Sequence, residues 1–124
     1  MRPSSEGVML TDEQTKASTK NILLIEDDKL VASSIADLLK RCGLHVTLAR
    51  GGEQAVKFAQ SQSFDLVISD IRMPGELGTE VVKTINHIQA EPKPFIFITG
   101  YADESYIVEA KRMGCNGFFL KPLL

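Results

Sequence analysis

Short apolar runs recur along the chain at Ile22 to Ile25, His45 to Ala49, Leu66 to Ser69, Phe95 to Ile98 and Phe118 to Leu120. Continuous runs of this length, rich in Ile, Leu, Val and Phe, suit strands buried on both faces. Between them the apolar positions change to a helical period. Leu30, Val31, Ser34/Ile35 and Leu38/Leu39 form one such stripe, Ala55, Val56, Phe58 and Ala59 a second, and Val81, Val82 and Ile85 a third. Gly43 can stop the first helix, Gly51-Gly52 can turn the chain into the second, and Pro92 and Pro94 break it ahead of the fourth strand. The third helix is expected from Thr79 to about His87. A fourth is expected from an Asp103 cap through Met113, closed by Gly114. Pro74, Gly75 and Gly78 predict an irregular loop between Met73 and Gly78. The outcome is five strands, with the third at Asp65 to Ser69, the fourth at Phe95 to Thr99 and the fifth at Gly117 to Leu120, alternating with four helices. Such alternation predicts right-handed βαβ crossovers and an α/β, doubly wound parallel sheet.

Four of the runs are followed at once by a group able to bind or react: Glu26 and Asp27, then Asp70, then Thr99, then Lys121. In parallel sheets ligand sites form outside the carboxyl ends of the strands, so these groups are expected to converge. Carboxylates meeting there repel one another unless a cation sits between them, and oxygen ligands suit a hard ion such as Mg²⁺. The facing lysine and hydroxyl suit an anionic oxygen group. Together they read as a site for a metal and a phosphoryl group on one carboxylate. Asp28, third in the acidic run, is expected outside the site, because consecutive residues at a strand end point to different sides.

The 124 residues suffice for one domain with its own core. A net charge of −2 gives no basic footprint for direct nucleic-acid binding. The longest apolar stretches are strand-sized, so no membrane span and a cytoplasmic location are expected. Cys42 and Cys115 lack metal-ligand or CxxC spacing and read as two free, mostly buried thiols. Residues 1–20 are rich in Ser, Thr, Glu and Lys and read as a flexible leader, with a turn of helix near Thr11 to Thr15; residues 21–124 form the domain.

The sequences ILLIEDD at 22–28, DLVISDIRMPGELG at 65–78, FIFITGYADE at 95–104 and GFFLKP at 117–122 resemble the receiver domain of two-component response regulators, the family of the chemotaxis response regulator. The resemblance covers about Asn21 to Pro122. It implies a flavodoxin-like sheet of strand order 2-1-3-4-5. It also implies a phosphoacceptor rather than a turnover enzyme, one that promotes its own phosphorylation and dephosphorylation. Asp70 corresponds to the phosphoacceptor, with Glu26, Asp27, Asp70 and the backbone carbonyl of Arg72 as Mg²⁺ ligands. Thr99 and Lys121 correspond to the phosphoryl ligands, Phe118 to the switch aromatic, and Arg72 and Tyr101 to positions that tune hydrolysis, here toward a long-lived phosphoform. A cis Lys121-Pro122 bond would aim the lysine inward. The implied partners are a sensor histidine kinase or histidine phosphotransfer protein and a downstream output domain or partner protein.

The chain departs from the family by stopping at Leu124, where a fifth helix normally follows. That departure suggests a fragment cut from a longer regulator or hybrid kinase, a homodimer that covers the gap, or the leader's Val8, Met9 and Leu10 filling it, with Phe119 exposed otherwise. A haloacid-dehalogenase-like phosphatase would need a second acid two residues beyond its nucleophile, after the first strand. Asp70-Ile71-Arg72 has none. A phosphorylation-independent, receiver-like binding module is the remaining alternative, and the intact set of five polar residues argues against it.

Overall fold

The computed structural model describes residues 19–100 and 104–121. Its main sheet is made of β1 (Asn21–Ile25), β2 (His45–Ala49), β3 (Leu66–Asp70), β6 (Phe95–Thr99) and β7 (Gly117–Leu120), all parallel, in the order β2-β1-β3-β6-β7. Counting main-sheet strands alone, this is the expected 2-1-3-4-5 order. Among the described residues there are four helices: α1 (Lys29–Arg41), α2 (Gly52–Ser61), α3 (Gly78–Ile88) and α4 (Glu104–Arg112). No helix of the described residues is long and apolar enough to cross a membrane. The expected leader falls almost wholly, and Tyr101, Asp103 and Pro122 fall entirely, outside the described residues.

Local chemistry sets the element ends. Asp28 caps α1, its Oδ1 accepting from the backbone N–H groups of Leu30 and Val31 at 2.9 and 3.1 Å. At the other end Gly43, at φ 85°, donates to the Lys40 carbonyl while Leu44 donates to that of Leu39. Gly114, at φ 82°, and Cys115 repeat the same pair of bonds after α4, to Lys111 and Ala110. These are Schellman closures, which need a residue free to adopt the left-handed region.

Side chains alternate between the faces of the sheet, and the two faces are covered unequally. Leu23, Ile25, Val67, Phe95 and Phe97 pack with Ala55 and Ala59 of α2, Val81, Val82 and Ile85 of α3 and Ala110 of α4. Ile22, Leu24, Ile68 and Ile98 on the other face pack with Ile35 and Ala36 of α1. Among the described residues no helix covers this second face toward β7, and Phe119 is half exposed. A side chain at Gly117 would meet the Phe119 ring at 3.0 Å and Ile96 at 3.4 Å, so that ring lies back over the glycine.

Three expectations are corrected. The segment after Asp70 is not irregular: Arg72–Met73 (β4) and Glu76–Leu77 (β5) pair antiparallel around Pro74-Gly75. Proline at the first turn position and glycine at φ 77° at the second satisfy a type II turn, so the same residues that forbid a helix build a hairpin. Leu30 and Leu38 belong to the periodic pattern of α1 yet are exposed, because the buried stripe is centred on Ala32, Ile35 and Ala36, with Leu30 on the opposite side of the helix. Cys42 is exposed, since it is the C-cap of α1 and lies past that stripe.

Candidate functional site

The register brings the strand ends together. Ile25 lies beside Ser69, Asp70 beside Ile98, and Thr99 beside Leu120. The residues that follow, Glu26 and Lys121, therefore emerge at one rim with Asp70 and Thr99. Lys121 extends the ladder by one backbone hydrogen bond to the Thr99 carbonyl, at 2.8 Å.

Asp70, Arg72, Met73, Pro74, Gly75, Thr99, Gly100 and Lys121 line an open cleft of about 520 Å³. Lys121 Nζ stands 2.9 Å from Asp70 Oδ2 and 2.8 Å from Glu26 Oε1. Glu26 and Thr99 are fully buried, Asp70 is 4% exposed and Asp27 is partly exposed. Oxygens of Glu26, Asp27 and Asp70 all lie within 4.8 Å of one another. Asp28 is turned away to cap α1, and its N–H donates to Glu26 Oε2 at 3.0 Å.

Close packing holds Asp70 in place from behind. Gly78 N–H donates to the Ile71 carbonyl at 2.6 Å, and any side chain at Gly78 would run into the Asp70 carbonyl oxygen and, at 2.7 Å, Ser69 Oγ. The glycine eight residues after Asp70 is thus required by close approach rather than by an unusual backbone angle.

Burial raises the Glu26 carboxyl above its ordinary range, and the Lys121 ammonium and Asp28 N–H pull it back only in part. Burial works against the Lys121 charge too, but the adjoining Glu26 and Asp70 carboxylates prevail and hold the ammonium above its usual pKa. Glu26 Oε1 is buried and takes no hydrogen bond of good geometry, so its 2.8 Å contact with Lys121 is an ion pair rather than a directed bond. One ammonium facing three carboxylates leaves an excess of two negative charges. That excess and the incompletely satisfied buried oxygen fit a hard divalent cation bound through oxygens.

Of the remaining expected residues, Arg72 is exposed in β4 beside the cleft, while Tyr101 lies outside the described residues. Phe118 is half-buried and packs against the α2, α3 and α4 side of the core. Two neighbours of the site were not anticipated. Arg50 Nη2 donates to the Asp27 carbonyl at 3.2 Å, and Glu76 Oε2 accepts from Gly52 N–H at 2.8 Å. The Gly51-Gly52 pair was legible as a turn, but nothing in the sequence paired it with Glu76.

The sequence model of the response regulator receiver domain matches residues 22–124. The chain belongs to the response regulator receiver family. It is 35% identical over 102 residues to the transcriptional regulatory protein FixJ of Bradyrhizobium diazoefficiens, covering 82% of this chain and 49% of FixJ. The chain thus spans about half the length of that relative. Among solved structures it superposes on the chemotaxis protein CheY4 of Vibrio cholerae with a TM-score of 0.79 at 28% identity, over 86% of this chain and 90% of that one. A Burkholderia pseudomallei response regulator with a phosphorylated aspartic acid, calcium ion and citrate superposes with a TM-score of 0.77 at 27% identity, over 85% of this receiver and 61% of that chain.

Proposed function

We propose that this receiver accepts a phosphoryl group on Asp70 from a phosphohistidine of a sensor kinase or phosphotransfer protein. The observation that carries the reading is the Lys121 ammonium shared between Asp70 and Glu26 inside a cluster of three carboxylates. That the Burkholderia relative carries a phosphorylated aspartic acid and a divalent ion supports it.

In the transfer, an Asp70 carboxylate oxygen attacks phosphorus. The P–O bond forms as the P–N bond to the donor imidazole breaks, and the leaving nitrogen takes up a proton. Glu26, Asp27, Asp70 and the Arg72 carbonyl are the residues that would hold Mg²⁺, which when bound supplies positive charge against the carboxylates and the incoming group. Lys121 neutralises a phosphoryl oxygen, and Thr99 donates its hydroxyl to another; both are positioned by the strand ends before any donor arrives. By resemblance to the family, Arg72 and Tyr101 are the positions that tune hydrolysis, and bulky residues there make the phosphoform long-lived. Movement of Thr99 toward the phosphoryl group opens space for the Phe118 ring, which changes the surface of α4 and β7 that an output domain or partner reads. Because Phe lacks a hydroxyl, turning inward buries no unsatisfied polar group.

Incubation with Mg²⁺ and acetyl phosphate should add a single phosphoryl group by intact mass, and Asp70→Asn should abolish it. If wild-type protein with an intact circular dichroism spectrum gains no mass, the phosphoacceptor reading falls and a binding module stands in its place.

A further inference from the structure

Two contacts at the Arg50–Gly52 turn between β2 and α2 have no part in phosphoryl transfer as proposed above. On one side the Arg50 guanidinium donates to the Asp27 carbonyl, 23 residues back. On the other, Gly52 N–H donates to the Glu76 carboxylate, 24 residues ahead. The first contact lands on the acidic loop after β1, and the second on the hairpin after β3 that carries Arg72. One short turn therefore touches both loops that would supply ligands to the cation.

The turn is shaped for this. Gly51, the N-cap of α2, offers no side-chain cap, and its φ of 177° is an extended angle open to any residue. At Gly52 it is space that disfavours a side chain. A side chain at Gly52 would collide with Glu76 Oε1 and approach Val81 Cγ2 to 2.7 Å, and one at Gly51 would approach Glu76 Oε2 to 3.0 Å. The two glycines leave room for a carboxylate at the helix N-terminus, where free N–H groups and the helix dipole favour an anion. Glu76 pairs with Met73 in the hairpin register, next to Arg72.

We infer that Glu76 and Arg50 are positioning residues for the metal site: they fasten the hairpin and the acidic loop to the same turn and so hold the Arg72 carbonyl and the Asp27 carboxylate at a fixed separation. This inference rests on the proposed metal site and adds residues that touch neither metal nor phosphoryl group. Partners that orient ligands from outside typically matter by an order of magnitude or more in metal affinity.

The test is an amide ¹⁵N NMR titration with MgCl₂, without phosphodonor, on wild type, Glu76→Ala, Glu76→Gln and Arg50→Ala. The same spectra report whether each variant is folded. Glu76→Ala should weaken Mg²⁺ binding about tenfold. Glu76→Gln, which keeps an oxygen for the Gly52 N–H but loses the charge, should bind close to wild type. Arg50→Ala, at an exposed position where unfolding is not at stake, should weaken binding in the same direction. Wild-type affinity in Glu76→Ala or in Arg50→Ala overturns the inference. Equal loss in Glu76→Ala and Glu76→Gln also overturns it, because the charge and not the tether would then be responsible. A wild-type protein that takes up no Mg²⁺ would instead overturn the metal reading beneath it.

Discussion

Ile25 and Glu26 are adjacent in the chain and equally buried, both fully shielded from water, yet burial acts on them in opposite ways. The apolar middle of each strand gains from leaving water, whereas its carboxyl end carries groups that lose hydration and recover only part of it. Phe97 and Thr99 repeat the contrast on β6, and Ile68 and Asp70 on β3. The middles fix the backbone, and the ends use that rigidity to hold like charges within 4.8 Å of one another. The site is therefore held together by the core and not by its own contacts, which leave it two charges short of balance.

The sharpest way to break the contrast is in the core. Phe97 is fully buried and meets Phe95 edge-on, ring centres 5.7 Å apart. Phe97→Ala should cost about 3–5 kcal/mol, from lost transfer free energy and a cavity under α3 and α4. Urea denaturation would measure it, and a cost below that of an ordinary surface change would mean that the middles are not what holds the strand ends.

A smaller effect is expected at the rim. Lys121→Met leaves Glu26 and Asp70 without their shared cation. Stripping one partner from a fully buried pair costs about 3–5 kcal/mol, but Lys121 keeps 18% of its side chain exposed, so a loss of roughly 2 kcal/mol is expected at neutral pH without Mg²⁺. The loss should shrink on acidification, as Glu26, its carboxyl raised by burial, takes up a proton. A variant as stable as wild type at neutral pH would show that the carboxylates are hydrated enough to need no partner.

How much of this was legible beforehand follows the same division. The apolar middles announced themselves, because a run such as Ile22 to Ile25 or Phe95 to Ile98 has few physical readings other than a buried strand, and β2, β6 and β7 have the expected bounds. The placement of Glu26, Asp70, Thr99 and Lys121 at one rim followed from parallel strands ending together. What escaped was set by contacts distant in sequence or by rotation about an axis. Leu30 fits a helical repeat, yet which side of α1 faces the sheet depends on where Ala32 and Ile35 land. Pro74-Gly75 signals a turn, but whether the flanking pairs form a hairpin depends on what holds Glu76, and its partner is 24 residues away at Gly52.

The smallest change is expected from the charge of a single group. Glu26 has a folded-state pKa raised above 4.5, mainly by burial and against the pull of Lys121. Below pH 4.5 folded and unfolded chains both hold the proton. Between 4.5 and the raised folded value the native state keeps a proton that the unfolded state has lost, so stability falls as pH climbs through that window and then levels off. Glu26→Gln has no such proton to lose. Other carboxylates slope the other way: Glu109, hydrogen-bonded to Lys83 across α3 and α4, is held below its usual range and favours the folded state as pH rises. The measurement is therefore the difference in urea stability between Glu26→Gln and wild type across pH, in Mg²⁺-free buffer. The variant should gain on wild type from pH 4.5 upward, and Mg²⁺, which the proposed site would hold on the ionised carboxylates, should narrow the gap in favour of wild type. A difference that stays flat with pH would place Glu26 among groups that burial does not penalise, and the contrast between strand middles and strand ends would then fail at the residue where it is most pronounced.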